Sequence, residues 1–243
     1  MIHVDERHYQ WVYSATAATG LLLALFLPSS RKFVPARSRR VYAALQVLTL
    51  FGAALGAKLA FLAGDLAWPA HAVTFDEVVF SGRSITGGLL GGFLCAEVGK
   101  IALSYQELPN DWFATKLPLS IAVGRVGCVF AGCCRGLPTE SASAFVYSDG
   151  VPRFPAQAVE LAFQVIAFIA AWIAFKRGAL RGRIFAVYMI AYGIFRTFIE
   201  GLRDTRKLDS GLSVYQILSV LLALAGIASY AWYSRAVKGE VAR

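Results

Sequence analysis

Gly124–Gly136, GRVGCVFAGCCRG, is the stretch that decides how this chain is read. It starts inside an apolar run with Arg125 and ends with Cys128, Cys133 and Cys134 among small residues. A charge at membrane depth costs about 2.5–3.5 kcal/mol on insertion scales. A chain carries that cost where the charge faces a partner, a cavity or a ligand. What Arg125 faces is therefore the first question.

Outward from this stretch, the chain keeps the same apolar character. Its 243 residues are 57% hydrophobic and 16% charged, too apolar for an ordinary soluble domain. A run of about 20 apolar residues crosses a bilayer. Seven such runs are present: Trp11–Leu27, Val41–Ala63, Ser84–Ser104, Phe113–Gly132, Ala158–Phe175, Ile184–Ile199 and Val214–Tyr233. Spanning segments must satisfy their backbones internally. The expectation is an all-α, polytopic membrane protein of seven transmembrane helices, with residues 1–243 as one transmembrane helical domain.

The net charge of +9 is distributed as topology, not as a nucleic-acid face. Arg31–Arg40, Lys176–Arg183 and the segment after Arg235 are basic, and the intervening loops are leaner and mixed with acids. By the positive-inside rule, the amino terminus is outside (periplasmic) and the carboxyl terminus cytoplasmic. The first apolar run has no clear small-residue cleavage site and reads as a retained span.

Polar residues inside the spans mark the candidate site. In Tyr192–Asp204, YGIFRTFIEGLRD, helical spacing puts Arg196, Glu200 and Arg203 on one face. Arg196 and Glu200 can pair, leaving Arg203 for an outside partner. Arg125, Arg196 and Arg203 against one acid leave spare positive charge, which suits a phosphate such as a lipid headgroup. The alternative is an ion pair that only fixes helix depth. Ser81–Gly92, SGRSITGGLLGG, has two readings: Gly87 and Gly88 interrupt the helix and offer N–H groups to an anion, or they serve tight helix packing. Lys58 reaches toward an interface, and Cys95 reads as a small apolar filler.

The cysteines leave three readings open. They pack as small residues, they form a disulfide or redox pair on an oxidising outer side, or they act as nucleophile or metal ligands. No metal ligand and no cofactor is assigned from the spacing.

GGLLGG, GRxG, PxQxxE (Pro155, Gln157, Glu160) and YGxxRxxxExxR, in this order, together resemble the prolipoprotein diacylglyceryl transferase family. The resemblance runs from about Gly52 to the last span. It implies transfer of a diacylglyceryl group from phosphatidylglycerol to the thiol of a lipobox cysteine, giving a thioether and releasing glycerol phosphate. The partners it implies are phosphatidylglycerol, prolipoprotein signal peptides and the lipid bilayer. The location it implies is the bacterial inner membrane. It places catalytic roles on Arg125, Arg196 and Glu200. Substrate-binding roles fall on Arg203, Gly87, Gly88, Thr86, Cys128, Cys133 and Gln157. The chain departs from the family pattern at Thr86 (histidine), Cys128 (asparagine), Cys133 (glutamate), and Phe154 and Val159 (often histidine and tyrosine). Lys58 stands at a usual arginine. The rival readings are a membrane thiol protein, redox or metal-linked, on the same scaffold, and a phospholipid-binding protein without chemistry.

Overall fold

Short polar side chains begin two of the helices that carry the site. Ser84 Oγ accepts the Gly87 N–H at 3.2 Å, and Asn110 Oδ1 accepts from Trp112 and Phe113 at 3.1 and 3.2 Å. Each takes up N–H groups that a helix start leaves without an intrahelical partner. The computed structural model describes residues 2–3, 15–16, 18–20, 22, 34–66 and 84–241. In chain order these hold α1 (Arg39–Phe61), α2 (Ile85–Ala102), α3 (Asp111–Phe130), α4 (Ala156–Lys176), α5 (Ile184–Ile199) and α6 (Val214–Val241).

Among the described residues, six helices are long and apolar enough to cross a membrane. They correspond to the second through seventh expected spans. The first, Trp11–Leu27, lies largely outside the described residues. The described residues are mostly helical, as expected, and add one small sheet of three two-residue strands: β1 (Ile2–His3), β2 (Phe145–Val146) and β3 (Pro152–Arg153). β2 is central, parallel to β1 and antiparallel to β3. Asp149-Gly150 makes the turn between β2 and β3, with Gly150 in the left-handed region at φ +72°.

The chain divides into two compact units. The first comprises Met1–Ser30, Asn110–Tyr188 and Gly201–Asp204; it contains α3, α4 and the sheet. Within it the Asp111 carboxylate accepts from the Gly182 and Ile184 N–H groups, which fastens the basic loop back onto the start of α3. Trp112 packs against Trp172 and Phe175 of α4, with ring centroids 5.4 and 5.1 Å apart.

The second unit comprises Arg31–Pro109, Met189–Glu200 and Thr205–Arg243. Its α1 and α2 pack backbone to backbone. A Cβ on Gly56 would meet the Gly87 carbonyl oxygen and Gly91, and one on Gly52 would meet the Cys95 side chain. Small residues permit such close approach in lipid, where no hydrophobic force drives helices together. Cys95 is thus the packing filler the sequence suggested. The opposite face of α1 exposes Val47, Phe51, Leu55 and Leu59, a stripe suited to acyl chains.

Candidate active site

Arg125 faces an acid. It lies on the last turns of α3, and its Nη2 meets Glu160 Oε2 of α4 at 2.7 Å, with both side chains buried. Arg125 Nη1 also lies 3.8 Å from Cys128 Sγ, one turn farther along α3. The GRxG and PxQxxE motifs therefore meet as one ion pair. Sequence reasoning set three arginines against a single acid. The structure gives Arg125 a counter-charge of its own, so the spare positive charge is smaller than expected. Glu160 was matched to a motif but not counted among the site residues. Its i, i+3 spacing from Gln157, which puts both on one helix face, was the available signal.

Gln157 is 1% exposed and stands on the first turn of α4. Its Nε2 donates to the Cys133 carbonyl oxygen at 2.5 Å and to the Tyr147 hydroxyl at 2.8 Å. Its Oε1 has no hydrogen-bond partner among the described residues. An unsatisfied buried acceptor costs about 1–3 kcal/mol. A donor on a substrate would remove that cost.

The cysteine segment is held by its surroundings. After α3 ends, Gly132 and Cys134 adopt φ of +60° and +61°. For a residue with a Cβ this conformation costs roughly 1–2 kcal/mol. The result brings the sulfurs of Cys128, Cys133 and Cys134 within 4.8 Å of one another. All four cysteines lie among the described residues and all are thiols, not disulfides. Cys133 Sγ donates to the Cys128 carbonyl oxygen at 3.8 Å. Its thiol is pushed above its ordinary range by side-chain contact with the Cys128 thiol first, then with the Cys134 thiol, and then by burial.

Beyond the cysteines, the chain is stitched to its neighbours. Arg135 Nε donates to the Gly132 carbonyl oxygen at 3.0 Å, and the Arg135 guanidinium lies 4.7 Å over the Tyr147 ring. Leu137 donates to Leu202, Phe154 donates to Leu137, and Asp204 donates to Arg135, all through the backbone. A Cβ on Gly136 would strike the Phe154 carbonyl oxygen, so only glycine fits there. Asp149 accepts from Arg135 and Arg153 at 3.2 Å each, and Arg153 also reaches Asp204 at 2.9 Å. The Asp149 carboxyl is held below its usual range, first by the Val151 N–H and then by Arg153.

Arg203 belongs to this first unit and corrects one expectation. α5 ends at Ile199, a 3-10 turn takes Glu200–Leu202, and Arg203 forms a β-bridge with Gly136. It does not continue the helical face of Arg196 and Glu200, and it is buried.

In the second unit the expected local pair forms. Arg196 Nη2 meets Glu200 Oε2 at 2.6 Å, and Glu200 is fully buried. Lys207 Nζ donates to the Glu200 carbonyl oxygen at 3.1 Å. For the glycines, the packing reading prevails. α2 runs unbroken through Gly87 and Gly88, whose N–H groups donate to Ser84 Oγ and to the Ser84 carbonyl oxygen. Neither is left for an anion. Thr86 is buried on the first turn of α2, and Lys58 is half-buried near the end of α1.

The prolipoprotein diacylglyceryl transferase family model matches residues 2–232. A phosphatidylglycerol–prolipoprotein diacylglyceryl transferase of Bordetella bronchiseptica is 30% identical over 201 residues, which are 77% of this chain and 76% of that protein. One from Clostridium tetani is 26% identical over 88% of this chain and 90% of its own length. One from Cupriavidus pinatubonensis is 26% identical over 96% of this chain and 90% of its own.

Proposed function

The chain belongs to the prolipoprotein diacylglyceryl transferase family, and we propose from that premise how its residues move a diacylglyceryl group from phosphatidylglycerol to the thiol of a lipobox cysteine. The substrates are a lipid and a protein, and the enzyme is a multi-pass membrane protein. The reading includes seven spans, an outer amino terminus and a place in the bacterial cytoplasmic membrane, and the charge pattern and the family support it. Residues 1–243 then act as a single transmembrane domain.

The observation that carries the assignment is the buried Arg125–Glu160 pair, which ties two family motifs into one contact. In the reaction the lipobox sulfur loses its proton and attacks the glyceryl carbon that bears the phosphate. A C–S bond forms, the C–O bond breaks, and glycerol phosphate leaves with the electron pair. Negative charge gathers on the phosphate oxygens. Donors held in place where charge develops are the largest single contribution in many such sites.

Arg125 and Arg203 supply guanidinium forks, with Glu160 orienting Arg125. Gln157 offers Oε1 to a hydroxyl or amide of a substrate. From the resemblance, Arg196 and Glu200 are assigned to the same reaction, Arg196 on the phosphate and Glu200 as proton acceptor. The resemblance gives Thr86, Cys128 and Cys133 the roles of substrate contacts in place of the family's histidine, asparagine and glutamate.

The test is a transfer assay in detergent with phosphatidylglycerol and a lipobox peptide of one cysteine, read by product mass. The wild-type protein yields the diacylglyceryl thioether. Arg196→Ala abolishes the product while the protein still inserts. Arg125→Lys keeps the charge but loses the fork, and turnover falls by a factor of at least about 10. Full activity in both variants would remove the phosphate role.

A further inference from the structure

The three thiols at the end of α3 form a cluster whose mutual geometry goes beyond the substrate contacts assigned to Cys128 and Cys133. Cys128, Cys133 and Cys134 come from the helix end and the turn after it, and their sulfurs all lie within 4.8 Å of one another. A thiophilic metal with metal–sulfur bonds of about 2.3 Å sets three sulfurs about 4 Å apart. Closing the cluster onto an ion thus needs shifts of well under 1 Å per sulfur. Cys134 takes the left-handed backbone, φ +61°, in the turn that carries its sulfur beside the other two.

The segment is also anchored on both sides. Gln157 holds the Cys133 carbonyl oxygen, and Arg135 holds that of Gly132. Cys128 is buried, whereas Cys133 and Cys134 are partly exposed, which gives an ion a way in.

We propose that Cys128, Cys133 and Cys134 form a binding site for a thiophilic metal ion, Cu(I), held by three sulfurs. Among the described residues the cluster brings together three cysteine sulfurs, with no histidine or carboxylate in the set. Soft sulfur ligands of one type select Cu(I) over harder divalent ions. Zn(II) ordinarily completes a tetrahedron with a fourth ligand. The site shares Cys128 and Cys133 with the substrate contacts proposed above, but none of its evidence rests on the arginines.

The experiment uses the full chain, purified in detergent, reduced and kept anaerobic. It is titrated with Cu(I) in competition with a coloured Cu(I) chelator, and with Zn(II) in parallel. The expected result is one Cu(I) per chain, with three of the four thiols protected from maleimide and Cys95 still labelled in a denaturing quench. Cys95→Ser keeps the site. Cys133→Ser and Cys134→Ser each lower the affinity by at least tenfold. No saturable binding by the wild-type protein, or binding unchanged in the Cys133→Ser/Cys134→Ser double variant, would overturn the site. Tighter binding of Zn(II) than of Cu(I) would overturn the choice of ion. Labelling of the wild-type protein needs no variant to fold, and transfer activity does not enter any arm.

Discussion

Arg125–Glu160 and Arg196–Glu200 have nearly the same length, 2.7 and 2.6 Å, and all four side chains are buried. They are built in different ways. Arg196 and Glu200 are one helical turn apart, so forming α5 and its last turn is enough to bring them together. Arg125 and Glu160 sit on α3 and α4 and meet only when those helices pack. The first kind of pair is a property of one element, and the second is a property of the fold. A buried ion pair adds little to stability as a pair, but removing one partner leaves a charge without compensation.

The largest effect follows from the inter-helix pair. Glu160→Ala leaves Arg125 buried without its acid, at a cost of about 3–5 kcal/mol. Denaturant unfolding in micelles, followed by tryptophan fluorescence, should show a loss of that size. A loss below about 1 kcal/mol would mean that Arg125 escapes to water and that the pair does not fix α3 to α4.

Double replacement sharpens the comparison. Arg196→Leu/Glu200→Leu should return close to wild-type stability, because an apolar substitute of similar volume for a buried pair is often neutral or stabilising. Arg125→Leu/Glu160→Leu should recover less, since its leucines must repack between two helices and misfit there costs about 1–3 kcal/mol. Double-mutant cycles on both pairs measure the difference. Equal recovery would show that the helical interface adds nothing. Neither double variant should transfer a diacylglyceryl group.

The same division between local and long-range order decides what could be read before the structure was in hand. The spans from α1 to α6 were legible because apolar length is a local signal, and so was the Arg196–Glu200 pair. Glu160 as the partner of Arg125 was not, because nothing in the two segments says which helices neighbour each other. Arg203 was misplaced for a related reason. The spacing assumed a helix through residue 203, while the backbone leaves α5 at Ile199 to bridge Gly136. Gly87 and Gly88 were ambiguous because a glycine for close approach and a glycine for an open N–H look alike in sequence. Only the facing Gly56 and the Ser84 cap distinguish them.

Glycines offer a smaller contrast between the two units. On α2, Gly87→Ala puts a Cβ against the Gly56 backbone and Ala60, which forces α1 and α2 apart. Overpacking of this kind costs about 1–3 kcal/mol. On α3, no atom of the described residues lies within 4 Å of a Cβ added at Gly124. Gly124→Ala should be neutral or stabilising by up to about 1 kcal/mol through helix propensity. Melting temperatures of the two variants in the same detergent check the contrast, and a destabilised Gly124→Ala would break it.

The smallest expected effect lies in the hairpin, where ion pairs are exposed. Asp149 Oδ1 accepts the Val151 N–H at 3.0 Å, and Oδ2 accepts from Arg135 and Arg153. These contacts hold the Asp149 carboxyl below its ordinary value of 3.8. A depressed carboxyl pKa means that the folded hairpin favours the carboxylate. Its contribution is therefore full at neutral pH, persists above the unfolded value, and is lost as pH falls through the folded value. Hydrogen exchange at the Val151 amide, corrected for intrinsic rate, should stay protected through mild acid and lose protection only below the usual carboxylate range. Asp149→Asn should abolish this acid transition at Val151 and leave the unfolding of the whole protein unchanged, because an exposed pair stabilises its own turn and little else. A global shift in stability with pH in that variant would place the hairpin, against its exposure, among the parts that hold the buried pair together.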